Sequence, residues 1–281
     1  MAQASMKDIK QRIRSVENTK QITKAMQLVA SSKLRGARQR MEASRPFLER
    51  AGEAVSMLAA GQRDSKSAFL RVDPEAGKAL VVVIAGDRGL AGSYNANVFK
   101  LVEEYRAERD IIVLPIGKKA REYYGHRGVE LRACDIEKVD GVEASQCDAL
   151  ARSIVEGYLA GEYTQVRIAC TRFKSVLTQR PRWIDALPIT AGEGADTKRQ
   201  MLFETGADGM LKVFVPHYLS GVLYAAICDS VVSEQAARRV AMDAATNNAS
   251  EMIENLTLKY NRARQSSITQ EITEIVAGAD R

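Results

Sequence analysis

The sequence is poor in the residues on which most enzyme chemistry depends. Its 281 residues include only two histidines, one tryptophan and four cysteines. The cysteines are scattered and form no Cys-x-x-Cys pair, so we expect buried thiols of a reducing compartment and no zinc site. His126 lies in a glycine-flanked turn, and His217 follows a proline. Neither histidine belongs to a visible arrangement of nucleophile and base, so a catalytic histidine is not predicted.

Long hydrophobic runs are also absent. The longest are Ala79–Ala85 and Val222–Cys228, which fall far short of the roughly 20 residues that a membrane-spanning helix needs. The first residues contain no apolar segment of the kind that a secretory signal carries. We therefore predict neither a spanning helix nor a cleaved signal.

Positive charge, in contrast, is concentrated in one place. The whole chain carries a net charge of +6, whereas residues 1–57 alone hold twelve basic side chains against five acidic ones, a net of +7. Such a basic segment favours an acidic surface, which belongs to nucleic acid, lipid headgroups or a protein. The segment has no aromatic residue before Phe47, which disfavours base stacking and hence single-stranded nucleic acid.

The same segment has the apolar spacing of a long helix. From Met6 to about Ala60, apolar residues recur in steps of three, four and seven, which predicts one narrow stripe. The step from Val16 to Ile22 is six residues, so we expect the stripe to slip there. Pro46 predicts a kink or a nearby break. The predicted stripe contains Ile9, Ile13, Val16, Ile22, Met26, Val29, Met41, Leu48, Val55 and Leu58.

The middle of the chain alternates strands and helices. Continuous apolar runs such as Ala79–Ala85 and Ile111–Ile116 are typical of strands buried on both faces. Their alternation with 10–15-residue helices predicts an open, mostly parallel α/β sheet of Rossmann-like type. Further strands are predicted at Val129–Cys134, Val166–Phe173 and, at an edge, Trp183–Leu187; helices are predicted at Tyr94–Glu108, Lys118–Tyr124 and Cys147–Gly161.

A second long helix is predicted from about Gly209 to Gly278. Two narrow stripes at opposite ends of a chain are buried most simply by antiparallel pairing, so we predict a coiled coil of the two terminal helices. The predicted domains are an N-terminal helix at residues 1–60, the α/β domain at 75–205 and a C-terminal helix at 207–281. If both helices leave the same side of the domain, about 15 residues overhang, roughly Ser266–Arg281. Their isoleucines then need a partner outside this chain.

The loop from Gly86 to Asn95 follows a strand and opens a helix, where phosphate-binding loops occur. Its glycine spacing matches neither G-x-G-x-x-G nor the P-loop, so a tight turn held by local hydrogen bonds is the favoured interpretation. Two functional alternatives remain open on these residues: a Rossmann-like enzyme with helical oligomerisation arms, and a coiled-coil adaptor for nucleic acid.

Three segments carry a resemblance to a known family. They are Ile22-Thr-Lys-Ala-Met-Gln-Leu-Val-Ala-Ser-Ser-Lys-Leu-Arg35, Asp87-Arg-Gly-Leu-Ala-Gly-Ser-Tyr-Asn95, and the stretch from Ser233-Glu-Gln-Ala-Ala-Arg-Arg-Val-Ala-Met242 to Ile268-Thr-Gln-Glu-Ile-Thr-Glu-Ile-Val-Ala-Gly278. In these segments the sequence resembles the gamma subunits of F-type ATP synthases.

The resemblance implies a non-catalytic rotor shaft. It implies that the paired helices turn inside a ring of three alpha and three beta subunits, while the α/β domain meets the epsilon subunit and the membrane c-ring. Shaft asymmetry acts by favouring one beta conformation at each angle. No cofactor, nucleic acid or small-molecule substrate is implied. The implied location is the cytoplasmic face of a bacterial plasma membrane, as a peripheral part of the complex.

The resemblance also implies positions of partner contact. Met26 matches the shaft position that faces an acidic loop of beta, and further matched beta contacts are Arg238, Gln265, Thr269 and Glu271. Phe203 and Glu204 match the c-ring contact, although Leu202–Gly206 departs from the family's Tyr-Glu-Pro pattern. The chain ends in Asp280 and Arg281, where the family has small or apolar residues.

Overall fold

The structure, a computed structural model, describes residues 6–60, 67–70, 76–189 and 207–279. The chain forms two compact units: residues 32–237 form one, and residues 1–31 with 238–281 form the other. The elements are α1 (Met6–Ala60), a 3₁₀ turn (Ala68–Leu70), β1 (Ala79–Ile84), α2 (Tyr94–Arg106), β2 (Ile111–Ile116), α3 (Lys118–Gly125), β3 (Glu130–Leu131), α4 (Ala144–Ala160), β4 (Gln165–Phe173), β5 (Gln179–Leu187) and α5 (Ala207–Ala279).

The unit of residues 32–237 is built on a five-stranded sheet with the order β3-β2-β1-β4-β5. Strands β1, β2, β3 and β4 are parallel, whereas β5 runs antiparallel to β4 at the edge. Every residue of β1 and β2 is buried, as their uninterrupted apolar sequences predict for central strands covered on both faces. The mixed sheet confirms the predicted α/β class.

Each face of this sheet carries its own hydrophobic core. The first core joins side chains such as Leu80 and Ile168 to α1, α4 and α5. The second core joins alternate residues such as Val81 and Ala169 to α2 and α3. This division follows from the two-residue period of a strand, which sends neighbouring side chains to opposite faces. The sheet is therefore the middle of three layers.

The two long helices have close to the predicted bounds. Helix α1 continues through Pro46, so the break considered there is absent and the proline is accommodated inside the helix. Helix α5 includes a stretch that is long and apolar enough to cross a membrane by length and composition, but 56% of that stretch is buried inside the protein. Because Leu211, Leu219 and Leu223 belong to the sheet's first core, we interpret the stretch as a core helix.

Candidate partner-contact site

In the unit of residues 1–31 and 238–281, α1 and α5 form an antiparallel pair joined by polar contacts. The hydroxyls of Thr23 and Thr246 are buried and lie 2.8 Å apart. One turn away, Gln27 Nε2 donates to Asp243 Oδ1 at 2.7 Å. These two contacts set the register, in which Ile9 lies level with Tyr260 and Met6 level with Ala263.

The threonine pair is well satisfied at the centre of this seam. Thr23 Oγ1 can donate to the Lys20 carbonyl at 3.0 Å, and Thr246 Oγ1 can donate to the Met242 carbonyl at 2.8 Å. Because each hydroxyl has one proton and two acceptor lone pairs, one threonine bonds its own helix while the other donates across the seam. The pair thus buries two hydroxyls without leaving a donor unused.

The buried stripe differs from the predicted one between Val16 and Ala30. The facing residues keep unbroken four- and three-residue steps, so the predicted slip is wrong. Between these positions the stripe consists of polar and small side chains, so the apolar pattern of the sequence does not reveal it. On α1 it consists of Ile9, Ile13, Val16, Lys20, Thr23, Gln27 and Ala30, and on α5 of Met242, Thr246, Ala249, Ile253, Leu256, Tyr260 and Ala263.

Large apolar side chains in the same region point outward instead. Ile22 is 60% exposed and Val29 is 57% exposed, which corrects their assignment to the buried stripe. They lie one residue before Thr23 and Ala30, and a one-residue offset on a helix is a rotation of about 100°. In this central part of the pair, small and polar residues fill the seam while large apolar residues such as Ile22 lie outside. Exposed apolar surface of this kind is typical of an interaction surface.

The end of α5 is a second exposed apolar surface. Helix α5 continues from Ala263 to Ala279, about 24 Å beyond the level of Met6. In this stretch Ile268, Ile272 and Ile275 are all exposed, the last at 71%. The overhang predicted from the helix lengths is therefore present in the described residues, and its isoleucines form one side of a single helix.

The structure places the sequence-predicted contact residues in different surroundings. Met26 is half-buried and lies near the level of Asp243 in the helix register, whereas Gln265, Thr269 and Glu271 are exposed beyond the level of Met6. Within that exposed stretch, Thr269 Oγ1 donates to the Gln265 carbonyl at 2.9 Å and Ser267 Oγ bonds Glu271 Oε1 at 3.3 Å.

Arg238 lies apart from these residues and is 8% exposed. The structure therefore brings Gln265, Thr269 and Glu271 together, and separates them from Met26 and from the buried Arg238. Phe203 and Glu204, the expected c-ring contacts, lie outside the described residues.

In the unit of residues 32–237, the loop after β1 connects distant segments, so the prediction that Asp87 makes local hydrogen bonds is wrong. Asp87 uses both carboxylate oxygens: Oδ1 accepts from the Lys118 amide at 3.2 Å, and Oδ2 accepts from the Val139 amide at 3.0 Å. The Gly86 amide donates to Asn95 Oδ1 at 2.9 Å. The loop thus ties the start of α3 and a distant loop to the end of β1.

Sequence reasoning missed the partner of Gly86. A Cβ added at Gly86 would lie 2.6 Å from Oε1 of Glu234, a buried residue of α5. The Glu234 carboxylate thus occupies the space that a side chain at position 86 would fill, at the carboxyl end of β1. Burial, together with the nearby charge of Glu234, holds the pKa of the Tyr94 hydroxyl well above its ordinary value. No sequence signal links positions 86 and 234, which are far apart in the chain.

The described residues offer little for metal or nucleophilic chemistry. In the parts of the chain that the structure describes, no group of three or more His, Cys, Asp or Glu side chains is placed to hold a metal ion. Burial raises the pKa of the Cys147 thiol to about 12 and that of Cys170 to about 11. Because the thiolate is the reactive form, these cysteines are inert packing residues.

Comparisons with known proteins place the chain in a family. The protein-family model described as ATP synthase matches residues 5–280. An ATP synthase gamma chain from Ruminococcus albus is 42% identical over 278 residues, which cover 97% of this chain and 96% of that one. The chain belongs to the ATP synthase gamma-chain family. Its counterpart from Moorella thermoacetica is 41% identical over 279 residues, which cover 99% of both chains.

A solved structure has the same fold. A chain in the cryo-EM structure of the Euglena gracilis mitochondrial ATP synthase, described as OSCP/F1/c-ring in rotational state 3, superimposes with a TM-score of 0.72. It is 18% identical in sequence, and the match covers 98% of this chain and 93% of that one. The family model and the relatives confirm the family resemblance carried by the three sequence segments: the chain is an ATP synthase gamma chain.

Proposed function

We propose that this gamma subunit is a non-catalytic rotor shaft that couples ion flow through a membrane c-ring to ATP synthesis or hydrolysis on alpha and beta subunits. The observation that carries the proposal is the exposed apolar surface of the helix pair. The centre of its seam is small and polar, with Thr23 packed on Thr246, whereas large apolar side chains such as Ile22, Val29 and Ile272 face outward. A shaft enclosed by other subunits needs this distribution, because its outer surface does the binding.

Charge supports the same assignment. The part of α1 in the helix pair exposes basic residues such as Lys10, Arg14 and Lys24, next to the exposed apolar residues. A surface that combines cations with apolar side chains complements an acidic protein loop, which attracts the charges while the apolar groups are desolvated. We infer that Met26, Gln265, Thr269 and Glu271 face beta subunits, and that Arg238 acts from within the helix pair.

The lack of catalysis is supported by the crevice at the carboxyl end of the sheet. In doubly wound folds, nucleotides bind there, with their phosphates at a glycine-rich loop. Here the carboxylate of Glu234 approaches Gly86 at that position, and a second carboxylate, Asp87, is engaged by backbone amides. A phosphate would meet negative charge in a filled space. We infer that nucleotide chemistry belongs to the partner subunits.

The remaining partners follow from the family. We propose that the α/β unit contacts the epsilon subunit and the c-ring, with Phe203 and Glu204 on the c-ring side. The complex would then hold the chain at the cytoplasmic face of a bacterial plasma membrane.

Reconstitution tests the proposal. Full-length chain should lack ATPase activity alone, and alpha and beta subunits with a membrane sector should make ATP from an ion gradient only when the chain is present. Two results would contradict it: ATP turnover by the purified chain, or coupled synthesis without it. Tight binding of NAD or ATP to the isolated chain would favour the enzyme alternative, and salt-sensitive DNA binding would favour the adaptor.

A further inference from the structure

The hairpin formed by β4 and β5 carries an unusual pair of like charges. In the antiparallel register, Arg172 lies directly opposite Arg180, and both side chains are exposed. Like charges directly opposite each other on one sheet face are destabilising. A hairpin selected for its own stability would place a carboxylate or a neutral residue at one of the two positions.

More basic residues extend this patch. Arg182 lies two residues beyond Arg180 and therefore on the same face, opposite Cys170. Lys174, immediately beyond β4, is also exposed. We call Arg172, Lys174, Arg180 and Arg182 the basic hairpin cluster.

The cluster has a single ion pair within the described residues. Arg182 Nη2 lies 3.6 Å from Asp229 Oδ2 of α5. Burial raises the pKa of the Asp229 carboxyl, and the neighbouring guanidinium groups of Arg182, Arg45 and Arg172 oppose that rise. One carboxylate thus serves several cations. In the part of the chain that the structure describes, Arg172, Lys174 and Arg180 form no ion pair.

The turn of the hairpin is ordered and presents an apolar side chain. Thr178 donates its amide to the Ser175 carbonyl at 3.2 Å, and Lys174 donates its amide to the Thr178 carbonyl at the same distance. Gln179 Nε2 closes the turn by donating to the Val176 carbonyl at 2.6 Å. Between these bonds, Leu177 is 82% exposed. The backbone that holds this leucine in solvent is satisfied by its own contacts.

We propose that the basic hairpin cluster and Leu177 form a docking surface for an acidic segment, rich in Asp and Glu, of a partner protein in the assembled complex. This surface consists of residues of the α/β unit. The inference rests on the proposed function, since it takes the partner to be a protein subunit. Carboxylates fit because guanidinium groups bind them through two parallel hydrogen bonds, and because they remove the Arg172–Arg180 repulsion.

An anionic membrane is the competing ligand, and the layout disfavours it. Only Leu177 and Lys174 lie at the turn, where a flat surface would reach. Arg172, Arg180 and Arg182 follow the strands back toward Asp229 of α5, so they line the flank of the hairpin. A polypeptide segment can lie along that flank, whereas a bilayer touches the tip alone.

The test uses the reconstituted complex and carbodiimide, which joins a lysine amine to a carboxyl group in direct contact. We expect a cross-link from Lys174 to an Asp or Glu of another subunit, identified by mass spectrometry. The double variant Arg172→Glu/Arg180→Glu should lower its yield at least about tenfold, since attraction becomes repulsion. Arg172→Lys/Arg180→Lys should keep most of the yield. The matched control is Arg152→Glu, which reverses the charge of an exposed residue of α4 and should leave the yield of the Lys174 cross-link unchanged.

Thermal unfolding of the isolated variants separates binding from folding. Removing the like-charge pair with the milder variant Arg180→Gln should leave the Tm unchanged or raise it, while the cross-link still weakens. The inference is overturned if the complex assembles without a Lys174 cross-link, or if the double reversal leaves the yield intact. It is also overturned if the chain binds phosphatidylglycerol vesicles through these arginines. Failure of the chain to join alpha and beta at all would count against the proposed function instead.

Discussion

The two units of the chain distribute their apolar side chains in opposite ways. In the α/β unit, residues 32–237, large aliphatic side chains are buried on both faces of the sheet, and β1 is buried along its whole length. In the helix pair, residues 1–31 with 238–281, the central seam contains Thr23, Ala30, Thr246 and Ala249, while four isoleucines are exposed: Ile22, Ile268, Ile272 and Ile275. The first unit buries most of its large apolar side chains in its own cores. The second unit leaves several of its large apolar side chains exposed, where they can contact other molecules.

This contrast separates stability from function along the chain. Where apolar burial is large, substitutions act on folding, because each buried methylene contributes to the free energy of unfolding. Where apolar side chains are exposed, the same substitutions leave the free energy of unfolding almost unchanged, and we expect them to act on assembly. The following predictions test that division, in order of decreasing effect.

The largest effect is expected in the α/β core. Ile168, in β4, is fully buried, so Ile168→Ala should lower the free energy of unfolding by about 3 kcal/mol through lost burial and a cavity. Urea denaturation followed by circular dichroism measures this change. A loss below about 1 kcal/mol would mean that the core does not carry the stability assigned to it.

The next effect concerns the isoleucines of the α5 overhang. Replacing Ile268, Ile272 and Ile275 together by Ser should change the free energy of unfolding by less than about 0.5 kcal/mol, as for exposed positions. Coupled ATP synthesis in the reconstituted complex should fall about tenfold, equivalent to about 1.4 kcal/mol of partner binding. Ser266→Ala, on the same exposed stretch, is the control. Equal loss of folding and coupling would remove the distinction between the two units.

A smaller effect is expected at the seam of the helix pair. Thr23→Val should cost about 1 kcal/mol of stability, because Thr246 loses its cross-seam partner in a buried setting. The double variant Thr23→Val/Thr246→Val should recover most of that cost, since two apolar groups of similar shape replace the hydroxyl pair. Thr19→Val is the matched control. It removes the hydrogen bond from Thr19 Oγ1 to the Ser15 carbonyl, which lies within one helix at an exposed site. Additive losses at 23 and 246 would contradict the coupling.

The smallest effect depends on pH. A hydrogen bond from Lys33, helped by Arg40, lowers the pKa of Asp140 below its ordinary value. Both partners of the Lys33–Asp140 pair are about half exposed, so the pair contributes less than about 1 kcal/mol. A depressed carboxyl pKa gives stability that is present above the unfolded value, near 4, and lost as the pH falls below it. Asp140→Asn should therefore be less stable than the unchanged chain at pH 7 and equal to it near pH 2.

The strands of the α/β unit were predicted closely because their buried positions are occupied by apolar residues throughout. Runs such as Ala79–Ala85 and Ile111–Ile116 are apolar throughout, and both became central strands. The helix seam was harder, since its inner positions hold Lys20, Thr23 and Gln27. The most apolar residues nearby belong to the outer surface, so the predicted stripe was one residue out of phase at Ile22 and Val29.

The assignment of contact residues to partner subunits stays a prediction, and the sequence contributed to it in two ways. Length alone indicated an unpartnered end of α5, and the family resemblance indicated Met26 and the Gln265–Glu271 stretch. The burial of Arg238 and the approach of Glu234 to Gly86 depend on tertiary packing between distant segments. The Arg172–Arg180 pair needs the strand register, which a sequence with several possible hairpin alignments does not specify.

The single-helix end of α5 has a consequence for amide hydrogen exchange. From Ala263 to Ala279 the helix is supported by local bonds, such as Thr269 Oγ1 to the Gln265 carbonyl and Gln270 Nε2 to Glu274 Oε1. Lone helices of this length are marginal in water, so their amides open often and exchange rapidly in the free chain. Enclosure by partner subunits would slow that exchange. Deuterium uptake at residues 263–279 would therefore measure the fraction of gamma chains bound in a complex, without a label on any partner subunit.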